Sequence, residues 1–374
     1  MKILVTGGAG FIGSYIVDAL IKKGHKVRIF DNLDPQVHGR EGKMPDYLNL
    51  GAEFVKDDIR NRDALRKAIE GVEIIFHEAS AVGVGQSMYQ ICKYVETNSL
   101  GTANLLDILV NETNGVEKII LASSMSNYGE GKYECVDCGV VFPKLRSDLQ
   151  LRRHDWEVKC PNCGRKVKPL LTDEEKPLFP SSIYAITKRD QEEMFLEIGQ
   201  AYQIPVVILR YFNTYGPRQA LSNPYTGVAA IFSTRIINRD SPIVFEDGLQ
   251  SRDFIHVNDV VQANILALEK EEANYEIFNV GTGMQTNLLE LINFLAENLL
   301  PGEEVKPDIV NKFREGDIRH CFADISKIEK KLGFKPRVRL KDGIVDLINW
   351  VKRQSPEDNV VTAKMELDKR GLTK

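Results

Sequence analysis

The 374-residue sequence has no uninterrupted apolar run of about 18 residues, the length at which a segment becomes a candidate membrane-spanning helix. Its six cysteines are too few for a disulfide-built scaffold in a chain of this length. Charge of one sign is not in surplus either, because 49 Lys and Arg residues oppose 53 Asp and Glu residues. The net charge of -4 gives no reason to expect a membrane or a nucleic-acid partner.

An export signal is also lacking. Met1 is followed at once by the apolar run of residues 2–6, which leaves no room for a charged segment and a longer apolar one. We therefore expect a cytoplasmic protein. The composition, 43% hydrophobic and 27% charged, is typical of globular proteins, and the length predicts about two domains.

What the sequence does contain begins with a glycine-rich turn. Residues 7–13 read Gly-Gly-Ala-Gly-Phe-Ile-Gly and lie between an apolar strand and a stretch with helical periodicity. Such glycines let the backbone approach a pyrophosphate at the positive N-terminus of the following helix. A second strand ends at Asp31, about 20 residues further on, where a carboxylate accepts ribose hydroxyls and repels a 2'-phosphate. The pattern predicts NAD rather than NADP.

Strands and helices alternate along the first half of the chain. Further strands are expected at residues 52–56, 74–77 and 118–123, with a long amphipathic helix over residues 94–110. This alternation predicts an α/β fold with a Rossmann-type, doubly wound parallel sheet. His77, on the fourth strand, is expected to be a core residue.

Tyr184 and Lys188 lie four positions apart, so on a helix their side chains share a face. A free phenol has a pKa of about 10 and is a poor base at neutral pH unless a fixed cation stabilises the phenolate. Lys188 could be that cation, although the spacing alone is common on solvated helix faces. Ser124, at the end of the fifth strand, is expected at the same sheet edge as the cofactor. Together with the glycine turn and Asp31, this set favours a catalytic site.

Ser124, Tyr184 and Lys188, joined to the glycine turn, resemble the extended short-chain dehydrogenase/reductases that act on nucleotide sugars. Further matches extend the resemblance over nearly the whole chain: Leu-Arg-Tyr-Phe-Asn-Thr-Tyr-Gly-Pro-Arg at residues 209–218, Arg-Asp-Phe-Ile-His-Val at 252–257 and Arg-Glu-Gly-Asp at 314–317. The resemblance implies tightly bound NAD in its oxidised form. The expected cofactor contacts are Gly7, Gly10, Phe11, Ile12, Gly13, Asp31, Asn32, Asp58, Ile59, Ala79, Ala81, Asn98, Tyr184 and Lys188. For Asp58, placed near the adenine, a helix cap is the alternative.

The resemblance also implies how the chain is divided. An NAD-binding domain over residues 1–212 would be followed by a smaller α/β substrate domain over 213–354, part of which, near 253–270, returns to the core. Residues 355–374 are expected to be a polar tail, either a loose helix or disordered, without a chemical role. A homodimer is implied, with the helices that begin near Tyr94 and Tyr184 at its two-fold axis.

The implied substrate is a nucleotide-diphosphate sugar. Its arginine contacts would bind phosphate oxygens through their planar forks, while Asp317 holds a ribose, and surface ion pairs are the alternative for each arginine. The expected contacts are Ser80, Val82, Ser124, Ser126, Asn213, Arg218, Arg252, Arg314 and Asp317.

The residues after Ser124 narrow the expected reaction. Dehydratases of this family carry an Asp-Glu pair there, whereas this chain has Met125 and Ser126. The resemblance therefore implies 4-epimerisation, in which a transient 4-keto sugar forms, turns and is reduced from the other face. The sugar stays open between the dTDP-L-rhamnose, UDP-glucose, UDP-galactose and UDP-glucuronate types. A dehydratase or reductase of the same superfamily and a non-catalytic NAD-binding module remain as alternatives.

An insertion over residues 131–170 separates Ser124 from Tyr184, which lie 60 positions apart (184 minus 124), more than the family's usual connection. It contains two Cys-x-x-Cys turns with 21 residues between them, a spacing typical of a zinc ribbon with four thiolate ligands. Four thiolates leave no open position, so the zinc would be structural. Disulfides are the alternative, but they fit poorly with the absent export signal. The predicted ligands are Cys135, Cys138, Cys160 and Cys163.

The position of the insertion predicts that it lies beside the substrate pocket, as a lid or a dimer contact. Between residues 132 and 168, nine Lys or Arg residues oppose five acids. Such a local excess is more often a solvated surface than a nucleic-acid site, and we do not expect nucleic acid as a partner.

Overall fold

The structure, a computed structural model, describes residues 1–39, 41–225, 227–354 and 357–374. At its centre is a seven-stranded sheet in which every strand runs parallel to its neighbours. In chain order the strands are Lys2–Thr6 (β1), Lys26–Asp31 (β2), Glu53–Lys56 (β3), Ile74–His77 (β4), Lys118–Ser124 (β5), Val206–Tyr211 (β6) and Glu276–Val280 (β7). Their order across the sheet, β7-β6-β5-β4-β1-β2-β3, is that of a Rossmann fold and confirms the predicted fold class.

Helices cover both faces of this sheet because its strands are apolar on both sides. On one face, Phe11–Lys22 packs against Val257–Glu269. On the other, Arg62–Ile69, Gly101–Asn111 and Ile183–Tyr202 enclose a second core. Residues 257–269 therefore pack on the sheet although they follow the first elements of the substrate side.

A smaller unit lies outside the sheet, and its core is formed between the helices Val228–Ile237, Leu288–Leu299 and Leu340–Val351. Short strands complete it: Asn213–Tyr215 pairs with Phe254–His256, Ile243–Val244 with Asp308–Ile309, and Ser251–Arg252 lies between Thr286–Asn287 and His320–Cys321. The other helical segments are Pro35–His38, Val84–Ser87, Asp148–Leu151 and Ser326–Leu332, with 3-10 turns at Met125–Tyr128 and Glu271–Ala273.

The long helix expected over residues 94–110 is present but interrupted. Ile91–Tyr94 and Gly101–Asn111 are joined by a π-helical turn, Val95–Leu100, a detail that apolar periodicity does not reveal. Within the described parts of the chain, no helix combines the length and apolarity needed to cross a membrane.

The insertion forms a three-stranded antiparallel sheet, with Lys132–Cys135 between Gly139–Val141 and Lys168–Leu170. Its separate apolar core is small and consists of Tyr133, Cys135, Val141, Val158 and Cys160, with Val167 packed against them. A unit with so little buried apolar surface needs a further source of folding free energy.

The C-terminal segment contains a helix, one of the two forms expected for it, but this helix packs against the rest of the chain. Its helix, Val360–Lys369, buries Ala363 and Leu367, which lie four residues apart on one face. The backbone of Lys374 then exchanges two hydrogen bonds of 3.0 Å with that of Phe313. The other apolar residues of the helix, Val360, Val361 and Met365, are exposed or only partly buried, so the periodic signal is too weak to predict the packing. The first two residues of the predicted tail, 355 and 356, lie outside the described residues.

Candidate active site

A cavity of about 590 Å³, here called the first cavity, opens at the ends of β1, β2, β4 and β5, the edge where parallel sheets bind ligands. It brings together most of the residues predicted from the sequence to contact cofactor or substrate. Those that line it are Gly7, Gly10, Phe11, Ile12, Gly13, Asp31, Asn32, Ile59, Ala79, Ser80, Ala81, Val82, Ser124, Ser126, Tyr184, Lys188 and Asn213.

The glycine turn leaves no room for side chains. A Cβ on Gly13 would lie 2.3 Å from the carbonyl oxygen of Gly7, and Gly7 itself has a φ of +70°. Gly10 precedes the helix Phe11–Lys22, which no side chain caps, so its first N–H groups are available to an anion. This cradle of bare backbone fits the diphosphate of a dinucleotide.

Asp31 is held in place by the backbone at the wall of the first cavity. Its Oδ2 accepts from Ala9 N at 3.0 Å and its Oδ1 from Leu33 N at 2.9 Å. Burial raises the pKa of this carboxyl, and the two N–H donors oppose that rise. The carboxylate is therefore oriented before any ribose is bound.

Asp58 does not line the first cavity, contrary to the expected adenine contact. Its carboxylate binds the Arg60 guanidinium at 2.8 and 2.9 Å and Asn32 Nδ2 at 2.8 Å. The hydrogen bonds from Arg60 lower the pKa of Asp58 to about 2. The helix-cap alternative does not hold either, since Asn61 caps the next helix. Ile59 and Arg60, its neighbours, line the cavity instead.

Asn98 is also placed behind the cavity wall rather than in it. This fully buried amide accepts from Ala81 N at 2.8 Å and donates to Ala81 O at 3.1 Å. It also donates to Thr187 Oγ1 at 2.9 Å, on the helix that carries Tyr184. Asn98 thus orients the strand exit and the Tyr184 helix relative to each other.

Tyr184, Lys188 and Ser124 are all buried and converge on the first cavity. Burial raises the pKa of the Tyr184 phenol, and a hydrogen bond with Ser124 opposes that rise. Lys188 Nζ donates to Ala122 O at 2.7 Å and to Gln191 Oε1 at 2.9 Å. Burial lowers the pKa of Lys188 to about 8. The arrangement can move a proton to or from a hydroxyl held beside Ser124.

Glu78 is a cavity residue that sequence reasoning missed. It follows β4 directly, a position that could have identified it, and accepts a hydrogen bond from Tyr211 Oη at 3.0 Å. Burial raises the pKa of its carboxyl to about 7. The preceding residue, His77, is a core histidine as predicted, because its ring nitrogens contact Thr6 Oγ1 at 3.0 Å and Thr102 Oγ1 at 3.2 Å.

A second cavity of about 310 Å³ adjoins the first, and both are lined by Ser126 and Asn213. Arg252, Arg314 and Asp317 line it as well. Arg314 Nε donates to Asp317 Oδ2 at 2.8 Å, and its guanidinium lies 4.7 Å from the Phe245 ring centre. Because the two cavities share walls, a ligand could extend from one into the other.

Arg252 is tied to the backbone within the second cavity. Its guanidinium donates to the carbonyl oxygens of Ser251 and Ile318 at 2.8 Å and of Arg319 at 3.0 Å. These bonds fix the charge at the wall while leaving the side chain partly exposed to the cavity.

Arg218 lies outside both cavities, which departs from its expected contact with the diphosphate. It forms an ion pair with Asp18 at 2.8 Å and lies 4.2 Å from the ring centre of Tyr15 and 5.0 Å from that of Tyr47. Its φ of +67°, in the left-handed region, accompanies this placement against the helix Phe11–Lys22. The next residue, Gln219, lines the first cavity.

The four cysteines of the insertion come together. Their sulfur atoms all lie within 4.8 Å of one another, with Cys135 Sγ 3.5 Å from Cys163 Sγ, and the structure records all six cysteines of the chain as free. None of residues 131–170, all of them described, lines either cavity. The insertion is therefore not a lid in this structure.

A Rossmann sheet whose strand ends carry a bare glycine cradle, Asp31 and a buried Ser124, Tyr184 and Lys188 set defines a dinucleotide-dependent enzyme of the short-chain dehydrogenase/reductase class. More particularly, the chain belongs to the NAD dependent epimerase/dehydratase family, whose sequence profile matches residues 3–139 and 163–281. The profile skips residues 140–162, which lie inside the insertion.

Curated relatives and solved structures agree with this membership. The chain is 35% identical to a dTDP-L-rhamnose 4-epimerase of Burkholderia thailandensis over 96% of this chain and 97% of that protein. It is 36% identical to a putative UDP-glucose 4-epimerase of Methanocaldococcus jannaschii over 94% and 99%. The fold matches a UDP-glucose 4-epimerase of Thermotoga maritima with UDP-glucose at a TM-score of 0.73, with 31% identity over 94% of this chain and 99% of that one.

Proposed function

We propose that this protein is an NAD-dependent nucleotide-sugar 4-epimerase acting on a dTDP-L-rhamnose or UDP-glucose type of substrate. The observation that carries the proposal is the buried Ser124, Tyr184 and Lys188 set, facing a cavity that continues into one lined by Arg252 and Arg314. The sugar would lie between the two cavities and its diphosphate beside the arginines. The names of the relatives support the same reaction.

NAD would lie on the glycine turn, with Asp31 at the adenosine ribose and Tyr184 and Lys188 at the nicotinamide end. When bound, it supplies the acceptor and donor of hydride at C4 of the sugar. Ser124 holds the C4 hydroxyl and Tyr184 removes its proton, while the Lys188 ammonium stabilises the phenolate. Met125 and Ser126 offer no carboxylate for removing the 6-hydroxyl, which favours turning of the keto sugar over dehydration.

The proposal is tested by incubating the purified protein, without added NAD, with a panel of UDP-, dTDP- and GDP-sugars. Proton NMR then follows the configuration at C4. We expect one class of sugar to reach an equilibrium of two C4 epimers. A need for stoichiometric NAD or NADH would indicate a dehydrogenase or reductase, and a product that has lost a hydroxyl present in its substrate would indicate a dehydratase. No conversion of any sugar would favour the non-catalytic alternative.

We further propose that the four clustered cysteines hold a structural zinc ion. A tetrahedral site with Zn–S bonds of about 2.3 Å has sulfur atoms about 3.8 Å apart. The four sulfur atoms here all lie within 4.8 Å of one another, and one pair is 3.5 Å apart, so little adjustment is needed. The Cys160 sulfur also accepts hydrogen bonds from the backbone N–H groups of Asn162 and Cys163, which favours a thiolate. Metal analysis should find one zinc per chain, and its loss in Cys160→Ser but not in Cys92→Ser.

A homodimer is proposed through the Tyr94 and Tyr184 helices. Four apolar side chains on or next to them, Ile91, Val95, Leu100 and Ile186, are each 42% to 49% exposed. Exposed apolar side chains grouped on these helices favour an interface. Light scattering should give a dimer for the wild type and a monomer for Ile186→Glu. Val361→Glu, at an equally exposed site on the C-terminal helix, should stay dimeric.

A further inference from the structure

Buried charges join the insertion to the wall of the second cavity. The Arg146 side chain, within the part of the insertion that the family profile skips, is 2% exposed. Its guanidinium binds both oxygens of Glu246, at 2.8 and 2.9 Å, and donates to Trp156 O at 2.8 Å. It also donates to Asp317 O at 3.2 Å. Glu246 and Asp317 both line the second cavity, so one side chain links the insertion to two parts of its wall.

A second arginine completes this connection. Arg319, fully buried, binds Glu246 at 3.0 Å and Asp247 at 2.6 Å on the substrate side. It also binds Glu157 of the insertion at 2.6 Å. Glu246 is thus shared by two guanidinium groups. Its pair with Arg146 is bidentate, and such a pair fixes geometry as well as charge.

Lys374 contacts both the insertion and the segment 313–317, which carries Arg314 and Asp317 of the second cavity. Lys374 Nζ binds Asp148 of the insertion at 2.9 Å and Glu315 at 3.0 Å. Because its backbone also pairs with Phe313, residues 313–317 lie between the insertion and the C-terminus. Arg314 and Asp317 are therefore held from two sides, by the C-terminal segment and by the insertion, and the insertion itself lines neither cavity.

We propose that the insertion is a brace for the nucleotide end of the substrate cavity, and that Arg146 is the positioning residue through which it acts. This inference rests on the proposed function, in that the second cavity takes the nucleotide diphosphate. Arg146 does not touch the ligand. It fixes Glu246 and the backbone at Asp317, and so the place of the Arg314 and Asp317 side chains.

The test replaces the guanidinium fork by a point charge in Arg146→Lys. The control is Arg165→Lys, which alters an exposed pair with Asp137 on the same insertion. Calorimetry of the purified NAD-containing proteins with UDP and dTDP should show binding about tenfold weaker for Arg146→Lys and unchanged for Arg165→Lys. The kcat at saturating sugar and the NAD content should change less than about twofold, since the first cavity is untouched.

Equal nucleotide affinity in wild type and Arg146→Lys would overturn the brace. If wild-type protein binds nucleotide but epimerises no sugar, the proposed function fails while the brace stands. Should Arg146→Lys not fold, amide hydrogen exchange of the wild type replaces it. Binding of UDP or dTDP should then slow exchange in residues 131–170, because coupling between two sites is reciprocal, and unchanged exchange there would contradict the proposal.

Discussion

The first cavity takes most of its walls from loops that directly follow β1, β2, β4 and β5, whereas the second is walled by segments as distant as residues 84–88, 224–225, 227–232 and 360–372. Topology alone therefore brings the cofactor residues together, since parallel strands end at one edge. The substrate side depends on packing between remote segments and on the buried ion pairs of Arg146 and Arg319. Changes in the two regions should consequently affect different steps.

The largest effect should come from Tyr184→Phe in the first cavity. Loss of the phenol should lower kcat by about 10³-fold or more, because proton transfer loses its acceptor. Binding of NAD and of UDP or dTDP should persist, since neither cavity changes shape. Tyr202→Phe, at the exposed end of the same helix, is the control and should keep full activity. Turnover by Tyr184→Phe at the wild-type rate would contradict proton transfer by the Tyr184 phenol.

Cys160→Ser should weaken nucleotide binding at the second cavity and leave NAD binding at the first cavity intact. Loss of the proposed zinc ion removes most of the folding free energy of the insertion, so the affinity for nucleotide should fall at least about tenfold. NAD should remain bound, because residues 131–170 do not touch the first cavity. The measurements are nucleotide binding and NAD content, with Cys92→Ser as the control. If Cys160→Ser releases NAD as readily as nucleotide, the two regions are not independent.

Two arginines from the motifs that carry the family resemblance, Arg314 and Arg218, should respond differently to substitution. Arg314→Gln should weaken UDP or dTDP binding about tenfold, since it removes a cation from the second cavity. Arg218→Gln should leave nucleotide affinity within about twofold and lower the unfolding temperature instead, because Arg218 binds Asp18 and Tyr15. If a nucleotide titration shows a larger loss of affinity for Arg218→Gln than for Arg314→Gln, then Arg218 contacts the diphosphate, as the resemblance implied.

At Glu78 the expected effect is on stability rather than turnover, and it depends on pH. Its folded pKa of about 7 lies above the usual value of about 4.5, so the unfolded chain ionises first and the native state loses stability as pH rises between these values. At about 1.36 kcal/mol per pKa unit, Glu78→Gln should therefore be more stable than wild type by about 3 kcal/mol at pH 8 and nearly equal to it near pH 4.5. Thermal unfolding at both pH values measures this. Glu193→Gln, which alters an exposed pair with Arg189, is the matched control variant.

Sequence patterns predicted the residues of the first cavity well. Each motif there is local, and the order of the parallel strands brings the motifs to one edge of the sheet. Residues 7–13, Asp31, Ser124 and Tyr184 fell into place for that reason. Arg218 does not line the cavity. Its backbone is in the left-handed region, and its side chain lies against the helix Phe11–Lys22. No spacing in the sequence marks such a departure.

The second cavity could be predicted in part. Motif resemblance identified Arg252, Arg314 and Asp317, but not what holds them. The partner of Arg146 is Glu246, 100 positions away, and a pairing over such a distance leaves no local signal. The packing of the C-terminal helix was missed for a similar reason, since its buried face carries few apolar residues.

The central claim is that this chain inverts C4 of a nucleotide sugar by removing and returning the same hydride. The most direct measurement uses a substrate deuterated at C4 and the enzyme as purified, without added NAD, with NMR of the product. The account predicts a C4 epimer that keeps its deuterium, because a deuterium carried by the bound nicotinamide is attached to carbon, does not exchange with water and returns to the same C4. Replacement of the deuterium by solvent hydrogen, or a product that has lost its 6-hydroxyl, would contradict it.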